Sequence, residues 1–192
     1  MRGLQSMKLR KLFTILVVVM AGLLLSCSET NRQTTPIEMI ATVTQDITRV
    51  DLIDDDCGLL GTVNIKTIVK NADTADTRFL DVRLDRMAVS YQRSDGGSLV
   101  PASFTQTISG LITANSAGTA LNNFIVFQAD AFNQGPFAAL FPNNGGLDAE
   151  TGQPEVRMDV ILDIFGETLS GENVSARARF PLAFCYNCGG CV

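Results

Sequence analysis

Two long stretches near the C-terminus alternate apolar and polar residues with period two, and no other feature restricts the possible folds as much. Val156, Met158, Val160, Leu162 and Ile164 share one phase, opposite Arg157, Asp159 and Asp163. After turn-forming residues at 166–173, Val174, Ala176, Ala178, Phe180, Leu182 and Phe184 alternate with Ser175, Arg177 and Arg179. Successive side chains of a β-strand point to opposite faces, so each stretch offers one face to a core and the other to water. The turn between them predicts a hairpin.

The same period recurs upstream. A first strand or pair of strands is expected within 37–52, followed by the acidic turn Asp54-Asp55-Asp56. Val63, Ile65, Thr67 and Val69 then alternate with Asn64, Lys66, Ile68 and Lys70. Leu80, Val82 and Leu84 continue the pattern, but by Met87, Val89 and Tyr91 the apolar phase has slipped by one residue. A slip of one turns every following side chain to the other face, so a β-bulge near Asp85-Arg86 or a crossing between sheets is expected there. Ser94-Asp95-Gly96-Gly97 has hairpin-turn composition. The middle third is less regular: 104–108 and 124–129 are expected strands, and Phe137-Ala138-Ala139-Leu140-Phe141 after Gly135-Pro136 is expected as a helical turn.

Short alternating strands, turns rich in Gly, Asn and Asp, and little helical periodicity predict an all-β fold. The expected architecture is a two-sheet antiparallel β-sandwich, immunoglobulin-like, with a jelly roll as the alternative topology. The domain at 37–192 exceeds the ~100 residues such a sandwich needs, and the excess is assigned to the middle third.

The N-terminus is of a different kind. Lys8, Arg10 and Lys11 precede an apolar run at 12–25, which is too short to span a bilayer comfortably and reads as a cleaved signal segment. The run ends in Leu24-Leu25-Ser26-Cys27, which resembles the lipobox of bacterial lipoproteins. That resemblance implies a signal peptide at 1–26 that is removed, with a diacylglyceryl thioether and an N-acyl group on Cys27. Two or more acyl chains suffice for stable membrane anchoring. Ser28, rather than Asp, after the cysteine implies an outer-membrane destination in a host with two membranes. Residues 28–36 (SETNRQTTP) lack aliphatic side chains and read as a flexible tether.

Removal of 1–26 leaves eleven basic against twenty acidic residues, a net charge of −9. No Lys or Arg occurs between Arg93 and Arg157. A chain this acidic has no electrostatic footprint for nucleic acid, so its expected contacts are the membrane, through the anchor, and an envelope protein or extracellular ligand. Histidine is absent, which closes the Ser-His-Asp and Cys-His mechanisms and His-ligated metal sites. Asp159 and Asp163, four residues apart on a strand, lie about 13 Å apart, beyond the ~5–9.5 Å of glycosidase pairs. Asp81 and Asp85 share that spacing, and a solvated face of alternating charge accounts for both. Asp54 and Asp56 are calcium candidates, as are Asp73 and Asp76, but neither set matches an EF-hand.

With Cys27 assigned to lipid, four cysteines remain: Cys57, and Cys185, Cys188 and Cys191 in the closing Cys-Tyr-Asn-Cys-Gly-Gly-Cys-Val. An even count in an exported protein predicts two disulfides, with three connectivities open. In an immunoglobulin-like sandwich the first and last strands run parallel. That placement predicts that Cys57 bridges one of the C-terminal three while the other two close a small ring. A metal or iron–sulfur site on the same four thiolates, or a redox-active pair, is the competing reading. The expected function is therefore a lipid-anchored binding or structural module without catalysis or cofactor. A metal- or redox-active protein comes second, and a carboxylate-only enzyme third.

Overall fold

The computed structural model describes residues 35–44, 48–53, 60–70 and 78–191. Pro36–Val192 forms one compact unit. Among the described residues there are eight strands and four short 3-10 turns, and no α-helix. The strands are β1 (Ile37–Val43), β2 (Arg49–Asp51), β3 (Leu60–Val69), β4 (Val82–Arg93), β5 (Phe104–Ile112), β6 (Thr119–Ile125), β7 (Glu155–Thr168) and β8 (Asn173–Cys185). They build two sheets, β1-β3-β6 and β2-β8-β7-β4-β5. Every pairing is antiparallel except that of β2 with β8, which is parallel.

The expected hairpin is β7–β8, paired from Glu155↔Cys185 to Glu167↔Asn173. Its inward row is completely buried at Val156, Met158, Val160, Leu162 and Ile164. The phase slip in β4 is a bulge: pairing to both neighbours shifts between Leu84 and Arg86, and the strand stays in one sheet. Against β7, Asp85 is the extra residue. Opposite the bulge, Gly166 pairs with Leu84, and a Cβ there would sit 2.7 Å from the Arg83 carbonyl oxygen. Only a residue without a side chain permits that approach.

One hydrophobic cluster draws on both sheets. Ile37, Met39, Val63, Ile65 and Phe124 come from the smaller sheet, and the inward rows of β4, β7 and β8 from the larger. Gln106 of β5 joins the two at one side, its amide donating to the Ile125 carbonyl (2.8 Å) and accepting from the Ile125 N–H (3.1 Å).

The middle third departs from expectation in two places. Ser94-Asp95-Gly96-Gly97 opens a longer connection, 94–103, because β4 runs on to Arg93 beside β7 after its last pair with β5, Val89↔Phe104. The strand expected at 124–129 lies earlier, as β6. After Ile125 the chain leaves the sheet so that Phe127 plugs the core, stacked on Tyr91 (ring centroids 4.9 Å) and edge-on to Phe184 (5.0 Å). The turn at Phe137–Leu140 is present as a 3-10 turn, and it buries Phe137 and Leu140. Those two side chains are part of the core.

Two ends of the domain result. At the proximal end, where the chain enters at Pro36, backbone and side-chain hydrogen bonds link successive segments. The Lys70 N–H donates to the Pro36 carbonyl (2.8 Å), and the Val69 N–H to Asn115 Oδ1 (2.9 Å). The Ala114 N–H donates to Asp81 Oδ1 (2.8 Å), the Leu169 N–H to the Asp81 carbonyl (2.9 Å), and the Ser170 N–H to the Phe79 carbonyl (3.0 Å). The distal end carries the C-terminal cysteines and the connections 94–103 and 126–154.

Candidate functional site

At the distal end the parallel pairing of β2 with β8 sets Asp51 opposite Cys185. Asp51 is 2% exposed, and its carboxylate accepts from the N–H groups of Asn187 (2.9 Å), Cys188 (2.9 Å), Gly190 (3.1 Å) and Ile53 (3.3 Å). Asn187, Gly189 and Gly190 all have positive φ, at 51°, 92° and 88°. That left-handed run turns successive N–H groups inward, forming an anion-binding concavity whose anion is supplied by the chain itself. Burial pushes the Asp51 carboxyl up, but the donated hydrogen bonds outweigh it and hold the group below its ordinary value.

Cys185 and Cys188 are joined by a disulfide, with Cα atoms 6.0 Å apart, closing the small ring expected in the C-terminal cluster. Cys191 is disulfide-bonded as well, and its Sγ accepts from the Asp51 N–H at 3.4 Å. Cys57, Asp54 and Asp56 lie outside the described residues, as do Asp73, Asp76 and the Leu24-Leu25-Ser26-Cys27 segment. Among the described residues no group of three or more His, Cys, Asp or Glu side chains is placed to hold a metal ion.

The same end of the domain holds a buried ionic cluster. Arg93 sits in the inward phase of β4, and its side chain is 1% exposed. Its Nη2 donates to Asp148 Oδ2 (2.8 Å) and Asp95 Oδ2 (2.9 Å), its Nε to Asp95 Oδ1 (2.7 Å), and its Nη1 to the Leu99 carbonyl (3.3 Å). Asp95 also accepts from the N–H groups of Gly97 (3.2 Å) and Arg157 (2.8 Å), and Asp148 from the Thr151 N–H (2.9 Å) and hydroxyl (2.7 Å). Glu150 accepts from the Ser98 hydroxyl (2.5 Å) and the N–H groups of Ser98 (2.8 Å) and Leu99 (2.7 Å). Burial raises the Asp95 carboxyl, yet the Arg93 guanidinium and the two N–H donors bring it down to about 2. Burial raises Asp148 likewise, and Arg93 with the Thr151 hydroxyl and N–H brings it below its ordinary value. The cluster ties the 94–103 connection to the turn before β7.

The four carboxylates paired by spacing in the sequence, Asp81, Asp85, Asp159 and Asp163, are each engaged separately. Asp159 pairs with Arg179 and Asp163 with Arg177 across the outer face of β7–β8, as a solvated face of alternating charge requires. Asp85 pairs with Arg86, whose guanidinium lies 4.7 Å over the Phe165 ring. Asp81 accepts from the Ala114 backbone instead.

No motif singles out Asp51 or Arg93, although each leaves a trace in the sequence. Arg93 continues the inward series Met87, Val89, Tyr91, where a cation requires buried anions. Asp51 interrupts Val50-Asp51-Leu52, which is otherwise apolar. No protein family matches the chain, nor does any curated protein or solved structure.

Proposed function

We propose that the chain is a lipid-anchored protein of the cell envelope, held through Cys27, whose domain is an immunoglobulin-like β-sandwich serving as a binding or structural module without catalysis. Strand order supports the topology: β1-β3-β6 and β8-β7-β4-β5 follow the A-B-E and G-F-C-C′ orders of that fold, rather than a jelly roll. The parallel β2 beside β8 is consistent with a first strand split between sheets.

The observation that carries the functional reading is the division of labour between the ends. The chain enters at Pro36, whereas at the opposite end Asp51 and Arg93 lock the loops in place. A surface immobilised in this way loses little conformational entropy on binding a partner. Cys57 is the proposed partner of Cys191. The Cys185–Cys188 disulfide weighs against a four-thiolate metal centre, since neither sulfur is then a thiolate ligand.

Intact-mass analysis of the chain purified from membranes tests the anchor. The expected product begins at Cys27 and carries diacylglyceryl and acyl additions, and Cys27→Ser shifts the chain to the soluble fraction. A product that keeps residues before 27, without lipid, overturns it. For the binding surface, Leu99 and Leu147 are exposed at the distal end (46% and 48%). A photo-crosslinker at either position is expected to capture an envelope component, and Leu99→Asp with Leu147→Asp to lose it.

A further inference from the structure

The three most exposed large apolar side chains among the described residues are Phe79 (61%), Leu111 (54%) and Leu169 (54%). All three belong to the proximal end. Phe79 and Leu169 are neighbours through the bonds of Ser170 and Leu169 to the Phe79 and Asp81 carbonyls. Leu111 pairs with Arg83, which pairs in turn with Glu167, two residues before Leu169. Asp81, bound to Ala114, and Asn115, bound to Val69, connect this group to Lys70 and so to Pro36, where the tether joins.

We propose that this end is a membrane-contact surface, and that Phe79, Leu111 and Leu169 enter the headgroup and upper acyl region of the bilayer that holds the anchor, with the exposed Arg83–Glu167 ion pair beside Leu111 staying among the headgroups. The proposal rests on the lipidation of Cys27. The nine residues 28–36 span at most about 30 Å when fully extended. They keep the proximal end at an effective concentration of about millimolar next to the bilayer, so a weak apolar contact is populated. The same contact would be negligible for the untethered domain, whose net −9 opposes approach to anionic lipid. β7, fourteen residues and about 45 Å long, sets the distal loops well away from the bilayer in this orientation.

The chain contains no tryptophan, so a single introduced indole reports its own environment. The full chain is expressed with Phe79→Trp, with Leu169→Trp as an independent reporter, and with Leu147→Trp at the distal end. Each acylated protein is reconstituted into phosphatidylethanolamine–phosphatidylglycerol vesicles with and without dibrominated phosphatidylcholine. Acylation is read by mass, and folding by unchanged thermal unfolding. The expected result is blue-shifted emission from the two proximal reporters that loses most of its intensity to brominated lipid, with the distal reporter unaffected. Acylated protein whose proximal reporters are not quenched overturns the proposal and leaves the anchor standing. A blue shift without quenching also overturns it, since a second copy or another protein then covers the patch. Equal quenching at both ends overturns the upright orientation. A chain that bears no lipid on Cys27 removes the anchor reading and this proposal together.

Discussion

The Arg93 guanidinium reaches Asp148 across 55 residues of sequence, Nη2 to Oδ2 at 2.8 Å, with both side chains 1% exposed. The pair closes the distal end where two neighbouring strands meet it, one partner ending β4 and the other preceding β7.

Arg93→Met leaves Asp148 buried without its cation and Asp95 without its strongest donor. Breaking a buried pair from one side costs about 3–5 kcal/mol. The expected measurement is a lower urea midpoint with an unchanged slope, which reports lost stability rather than an altered unfolded state. Arg93→Lys is expected to recover only part, because a compact ammonium does not span two carboxylates as a planar fork does.

Acid should unlock the same cluster. The native Asp95 carboxyl titrates at about 2, below its ordinary 3.8, so the folded state binds fewer protons than the unfolded chain between those values. The stabilisation is therefore complete above about pH 4 and lost as pH falls through about 2, with a contribution on the order of 2 kcal/mol from this group. Asp148 and Asp51 are shifted in the same direction and reinforce the trend. Thermal unfolding followed from pH 5 to pH 2 is expected to show a progressive drop that Asp95→Asn flattens.

Asp51→Asn replaces an acceptor-only carboxylate with an amide whose NH₂ faces N–H donors. Four backbone donors converge there, so about 2–3 kcal/mol of stability is expected to be lost. The looser loop should also expose the Cys185–Cys188 disulfide, which thiol trapping after graded reduction would register as faster loss. Equal reduction rates in variant and parent would show that the carboxylate does not hold the loop.

Gly166→Ala tests the bulge. The added Cβ meets the Arg83 carbonyl oxygen and Val82 Cγ1, both at 2.7 Å, and a backbone atom cannot swing aside as a flexible side chain does. Overpacking of this kind costs about 1–3 kcal/mol. Gly110→Ala provides a contrast, since its Cβ would approach only Leu84 Cδ1 at 3.4 Å.

Alternation alone makes β3, β4, β7 and β8 legible in the sequence, including the bulge, because a phase slip is a local property of the chain. β6 escapes the same reading for the opposite reason. Its residues, TALNNFI, are exposed but for half-buried Leu121 and buried Phe124, so they carry no period-two signal. The strand exists because β3 offers it an edge, and Asn123, with φ at 57°, accommodates the shifted register. Among candidate site residues, the closeness of Cys185 and Cys188 follows from spacing alone. The carboxylate that organises their loop does not, since Asp51 lies 139 residues from Gly190.

What the sequence determined by itself is therefore the set of strands that bury one face, the polarity of each face, and the turn that lets the last two strands meet. These depend on neighbours a few positions apart and on the cost of leaving apolar surface in water. Only the tertiary structure decided that Asp51 meets the cysteine loop, that Arg93 meets Asp148, and that Phe79 and Leu169 share an end with Pro36. Those contacts depend on strand order, which sums many weak packing terms over the whole chain, and no local pattern records which distant donor a buried charge will find.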